Sequence, residues 1–172
     1  MTSPPLTVRC AGVGDLDAVE ELLRTAARWT AARGFPNPWP VPYPMERVRP
    51  RLEAGDVYLA GEPGAPPIAT VTLQWEDLPY WGARPADAGY IHRLAVRPER
   101  HAEGWGRRLI AWAEERTAAA GRPWLRLDCV AANPGIRRYY TEQAFRQVGE
   151  VTVGGVDCVL LERPVPSRGA RA

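Results

Sequence analysis

The chain has 172 residues, 45% of them hydrophobic and 24% charged, a balance that suits one soluble globular domain with its own core and argues against intrinsic disorder. A net charge of +2 offers nothing to nucleic acid or an anionic membrane surface. No stretch approaches the ~18 consecutive apolar residues of a membrane span, and Met1–Leu6 lacks the charged and apolar regions of a signal peptide. The expectation is a cytoplasmic protein with no membrane partner. Cys10, Cys129 and Cys158 are odd in number and scattered, so they read as reduced thiols, with neither a disulfide frame nor a metal site.

In chain order, Leu6–Cys10 reads as a short strand. Gly14-Asp15 then starts a helix, with Leu16, Val19, Leu22, Leu23, Ala26 and Ala27 on its core stripe and Gly34 at its end. Phe35–Pro44 holds five prolines with Trp39 and Tyr43, which predicts an ordered loop without regular structure. An irregular helix over Met45–Ala54 follows, interrupted near Pro50. Val57–Gly61 and Ile68–Trp75 read as strands, and Glu76–Asp87 as a loop carrying aromatics and acids. Trp124–Val130 is a strand in which Leu125, Leu127 and Cys129 alternate with Arg126 and Asp128. A helix begins at Asn133-Pro134, and Phe145–Val151 with Val156–Glu162 forms a hairpin around Gly154-Gly155. Residues 1–163 are expected to form one domain, and 164–172 a flexible tail.

The stretch that organises the chain runs from Tyr90 to Arg108. Tyr90–Val96 is an apolar, β-branched run, ended by Arg97-Pro98 because proline has no N–H for a ladder. After a polar loop, Gly104-Trp105-Gly106 opens a helix that places Trp105, Leu109, Trp112 and Ala113 on one face. A strand, a glycine-punctuated loop and a helix start direct several backbone N–H groups at one point, which suits a phosphate or pyrophosphate.

These residues resemble the GCN5-related N-acetyltransferase (GNAT) superfamily over nearly the whole length, Leu6 to Glu162. Val96 matches the residue that ends the family's central strand, and His101 to Gly106 matches its Q/R-x-x-G-x-G/A loop, with His101 in place of Gln/Arg. Asn133, Tyr140 and Phe145 resemble N-x-x-A-x-x-x-Y-x-x-x-G-F, with Ala144 where the family has glycine. Tyr90-Ile91-His92-Arg93-Leu94-Ala95-Val96 is similar to the H-I-H-A-L-A-V of arylalkylamine N-acetyltransferases. The resemblance implies a mixed, twisted, mostly antiparallel α/β sheet of six to seven strands with helices on both faces. It implies acetyl transfer from acetyl-CoA, or another phosphopantetheine thioester, to the primary amine of a small molecule by direct attack.

Acetyl transfer to an amine needs a held cofactor, a base for the ammonium, and donors for the oxyanion and the leaving thiolate. By resemblance, the backbone at Leu94, Ala95 and Val96 pairs with the pantetheine amides. The loop residues His101, Ala102, Gly104, Trp105, Gly106 and Arg107 hold the phosphates, and Asn133 contacts the pantetheine arm. Asn133 before Pro134 is also a good helix cap, and both roles are compatible. Tyr140, two turns on from Asn133, is the candidate acid for the thiolate; a core packing role is the alternative. His92 is the candidate base, since histidine exchanges protons near neutral pH; a structural role is the alternative. Glu76 is the rival base or substrate anchor, or else a solvated loop acid. Trp29, Trp39, Trp75, Tyr80 and Tyr90 are candidates to line an acceptor pocket, with Glu76 or Asp77 suiting an apolar or aromatic amine. Two other readings stay open: an acyl-carrier protein as donor, facing Arg100, Arg107 and Arg108, and a catalytically idle CoA-binding module. Either a monomer or a homodimer is compatible with the sequence.

Overall fold

Seven strands make one mixed, mostly antiparallel sheet in the order β1-β2-β3-β4-β5-β7-β6. They are β1 (Thr7–Cys10), β2 (Val57–Gly61), β3 (Ala69–Gln74), β4 (Ala88–Val96), β5 (Trp124–Val130), β6 (Arg146–Val153) and β7 (Val156–Pro164). The helices are α1 (Leu16–Ala32), α2 (Arg49–Glu53), α3 (Leu78–Trp81), α4 (Trp105–Ala119) and α5 (Pro134–Thr141). This is a computed structural model, and it describes residues 5–36 and 39–166. No helix among the described residues is long and apolar enough to cross a membrane. The chain divides into two compact units, Met1–Leu73 with Arg93–Leu109, and Gln74–His92 with Ile110–Ala172.

In the first unit β1, β2 and β3 form an antiparallel meander. The apolar stripe of α1 supplies its core: Val19, Leu22, Leu23 and Ala27 are buried, and Leu16 and Ala26 pack at the margin. Valine and leucine of β2, with Val48, Leu52 and Ala95, complete that cluster. The start of α1 is fixed by Asp15, whose carboxylate accepts from Gly12 N–H at 2.9 Å and pairs with Arg9 at 2.6 Å. Its end is a left-handed turn at Gly34, φ +66°.

In the second unit β5 pairs in parallel with β4, from Ala88↔Trp124 to Ile91↔Leu127, and antiparallel with β7. The β6–β7 hairpin turns through Gly154 and Gly155, both at positive φ, which the twist of a tight hairpin requires. Arg126 is a buried cation of this unit, its side chain 7% exposed. It donates to Asp87 Oδ1 at 2.8 Å, to Tyr90 OH at 3.1 Å and to Glu162 Oε2 at 3.1 Å, and its guanidinium stands 5.1 Å from the Trp81 ring centre. Burial works against that charge, but the bonds to Asp87, Tyr90 and Glu162 outweigh it and hold the group above its ordinary pKa.

Three expectations change. Glu76–Asp87 contains the short helix α3, too brief to show a period and started by Pro79. The loop after β4 is a 3-10 segment, Pro98–Glu103. Pro164 belongs to β7, and Val165 is buried with its N–H donating to Pro123 O, so the ordered chain reaches past 163; residues 167–172 lie outside those described.

Two substitutions test these assignments by urea unfolding. Arg126→Ala strands Asp87 without its cation and leaves Glu162 only the exposed Arg146, and is expected to cost about 3–5 kcal/mol. Ala144→Gly relieves a left-handed backbone, φ +63°, and is expected to add about 1 kcal/mol of stability.

Candidate active site

The first unit carries the strand–turn–helix element. Arg93 has φ +50°, an irregularity in the middle of β4, and its Nε donates to Tyr43 OH at 3.2 Å. Leu94 and Val96 are half-buried and Ala95 is buried. Gly104 ends the 3-10 segment with φ +77°, and a Cβ there would meet no atom within 4 Å. The reversal at Gly104 therefore serves the backbone path and leaves open space above it. The first in-helix bond of α4 runs from Arg108 N–H to Gly104 O, so the N–H groups of Trp105, Gly106 and Arg107 precede the ladder.

Side chains around this turn are largely committed elsewhere. Trp105 is fully buried, its indole donates to Glu103 at 3.0 Å and Arg108 lies 4.5 Å from its ring centre, so it anchors the turn and offers only main chain. His101 Nε2 lies 2.9 Å from Val96 O, and its ring meets Trp29 edge-on at 4.7 Å. Arg100 is paired with Glu62 and Glu103 at 2.6 and 2.5 Å, which neutralises it as a contact for a carrier protein. Ala102 and Arg107 are exposed.

In the second unit, His92 is the first residue of β4 beyond the Ile91↔Leu127 pair, and Asp128 follows Leu127 on β5. The register thus delivers Asp128 to His92, with Asp128 Oδ1 3.6 Å from His92 Nδ1. Asp77, the residue before α3, brings Oδ2 to 3.0 Å from His92 Nε2. That approach is an ion-pair contact without hydrogen-bond alignment, and neither atom has a hydrogen-bond partner among the described residues. The side chains of Asp77, His92 and Asp128 are 3%, 14% and 14% exposed, and their donor atoms lie within 4.8 Å of one another. Tyr80 of α3 stands beside them, its ring centre 5.8 Å from that of His92.

Glu76 is exposed, and what it contributes to the fold is its carbonyl, which accepts from Gln74 Nε2. The acid at His92 is its neighbour Asp77. Tyr90 is 2% exposed with its hydroxyl accepting from Arg126, which makes it core and takes it out of the acceptor wall. Trp75 is half-buried under Arg122, 4.8 Å from its ring centre. Trp29 packs with Phe35, Arg33 and His101, and Trp39 with Tyr43, all within the first unit. Of the five aromatic candidates, Tyr80 is the one placed against His92.

Asn133 caps α5, its Oδ1 accepting from Gly135 and Ile136 N–H at 3.1 and 3.2 Å. Seven residues on, Tyr140 is buried between Tyr139 and Phe145. Burial drives its hydroxyl pKa far up, and the charges of Tyr139, Cys129 and Asp128 add to this, so the hydroxyl keeps its proton and acts as a donor. Asp128 escaped the sequence reading as a site residue, although Arg126 and Asp128 on one face of an otherwise apolar strand were the available signal.

Residues 19–145 match the acetyltransferase (GNAT) family, and the chain belongs to that family, which makes it a transferase. Over 143 residues it is 26% identical to the uncharacterized N-acetyltransferase YesJ of Bacillus subtilis, covering 78% of each chain. Its fold is similar to that of a GNAT-family acetyltransferase from Listeria monocytogenes, with a TM-score of 0.79 at 22% identity over 95% of this chain and 98% of that one. It is also similar to YncA, a putative acetyltransferase from Salmonella typhimurium solved with its cofactor acetyl-CoA, with a TM-score of 0.66 at 16% identity over 97% and 98%.

The thiols report on burial here. Cys10 is exposed, whereas burial pushes Cys129 up to about 12 and Cys158 up to about 11, with Asp128 adding to both. In native protein at pH 8, Ellman's reagent is expected to titrate Cys10 alone, and all three thiols after unfolding.

Proposed function

We propose that this enzyme transfers the acetyl group of acetyl-CoA to the primary amine of a small molecule by direct attack. The observation that carries the reading is the half-buried His92 set among Asp77, Asp128 and Tyr80, in a chain of an acetyltransferase family. The turn at Gly104 suits acetyl-CoA, because a Cβ there would meet nothing within 4 Å and the N–H groups of Trp105, Gly106 and Arg107 precede the helix ladder. The main chain of Gly104 to Arg107 would hold its diphosphate, the edge of Leu94 to Val96 its pantetheine arm, and Asn133 would lie along that arm. The thioester supplies the activated acetyl group.

His92 takes a proton from the acceptor ammonium, and the freed nitrogen lone pair forms the new C–N bond. Asp77 and Asp128 flank the imidazole and hold its orientation. As the C–S bond breaks, the hydroxyl of Tyr140 donates a hydrogen bond to the departing sulfur, and the second amine proton completes the thiol. Because Tyr140 holds its own proton so tightly, this step is a donated hydrogen bond and needs no phenolate. A carrier-protein donor is less well supported, since Arg100 is already neutralised by Glu62 and Glu103.

Thiol release from acetyl-CoA across an amine panel tests this reading. His92→Ala is expected to lower kcat by roughly 100-fold or more and Tyr140→Phe by roughly 10- to 100-fold. Acetyl-CoA affinity by calorimetry should stay within about twofold for both. Full-rate turnover by the double variant would remove both residues from the mechanism.

A further inference from the structure

We propose that Asp77 and Asp128 make the acceptor site selective for cationic amines that carry no carboxylate beside the nitrogen; this rests on the acetyl-transfer reading above. The two carboxylates belong to different elements, the turn before α3 and strand β5, and they converge on one imidazole. All three donor atoms fall within 4.8 Å of one another, and the Asp77 side chain is 3% exposed. Buried carboxylates so close repel each other, and burial without a hydrogen bond leaves Asp77 Oδ2 and His92 Nε2 unsatisfied. An arriving ammonium supplies what is missing: a positive charge and three N–H donors pointing at three acceptors. Tyr80 adds an aromatic ring beside His92, a surface that favours a cation and an apolar body behind it.

The same charges select against other amines. In an α-amino acid the carboxylate sits on the carbon that bears the nitrogen, so delivering the ammonium brings that carboxylate to Asp77 and Asp128. Arg126, on the same face of β5 as Asp128, is already paired with Asp87 and Glu162. Like-charge exclusion of this kind gives specificity by penalising the wrong partner.

Matched pairs that differ by one carboxylate beside the nitrogen test the proposal: tyramine against tyrosine, and phenethylamine against phenylalanine, with acetyl-CoA as donor. The wild type is expected to favour each decarboxylated amine by about 30-fold or more in kcat/KM. Asp128→Asn and Asp77→Asn should each shrink that preference to a few-fold while acetyl-CoA affinity stays within about twofold, which also reports an intact fold. A preference near one in the wild type, or one unchanged in both variants, overturns the proposal while leaving acetyl transfer intact. Absence of turnover with every amine instead overturns acetyl transfer. Calorimetric binding of tyramine against tyrosine, in wild type and Asp128→Asn, then decides the selectivity by itself: preferential tyramine binding lost in the variant supports it, and equal binding overturns it.

Discussion

A single buried guanidinium fixes the register on which the second unit of this molecule depends. Arg126 leaves β5 and binds Asp87 just before β4, Tyr90 within β4 and Glu162 within β7. Those bonds lock β5 against both neighbours. A slip of one residue would put Arg126 on the other face, leave Asp87 without its cation and deprive the buried Glu162 of its buried partner. With the register held, Ile91 opposes Leu127, and the next residues on the two strands are His92 and Asp128. The imidazole and its acid are thus consequences of an ion network one turn of the pleat away, and neither needs a dedicated loop.

How much of this could be read from the chain depended on whether a feature is periodic. The apolar stripe of α1, the β5 alternation and the glycine hairpin all repeat or punctuate, and each appears where the pattern puts it. The Gly104 turn was legible because only glycine tolerates φ +77° comfortably. Asp77 and Asp128 carry no such periodic mark. Acids in a loop and on a strand look alike whether solvated or buried, and only the fold shows that Glu76 faces water while Asp77 is covered. Tyr90 shows the opposite error of locality: it shares a strand face with His92, but it sits two residues earlier, opposite Arg126, where its ring is buried and its hydroxyl accepts from that guanidinium.

Both departures from the family's motifs leave untouched the main-chain groups that the proposed cofactor site would use. His101 replaces Gln or Arg, yet its ring turns back to Val96 O and Trp29, away from any demand that the turn's N–H groups make. Ala144 replaces glycine at φ +63°, a substitution that costs the backbone about 1 kcal/mol without removing a functional group. A site built from peptide groups tolerates changes of side chain that a site built from side chains would not.

Asp128 also links the two ends of the proposed reaction. Its charge lies close enough to Tyr140 to help hold the phenol protonated. An ammonium seated on Asp128 would cancel part of that charge, and the Tyr140 hydroxyl would then release its hydrogen bond to an anion more readily. The donor is strengthened when the acceptor is present, and is weakest when the site holds no amine. Electrostatics alone would therefore bias the enzyme toward acetyl transfer over wasteful breakage of the thioester, with no moving part required.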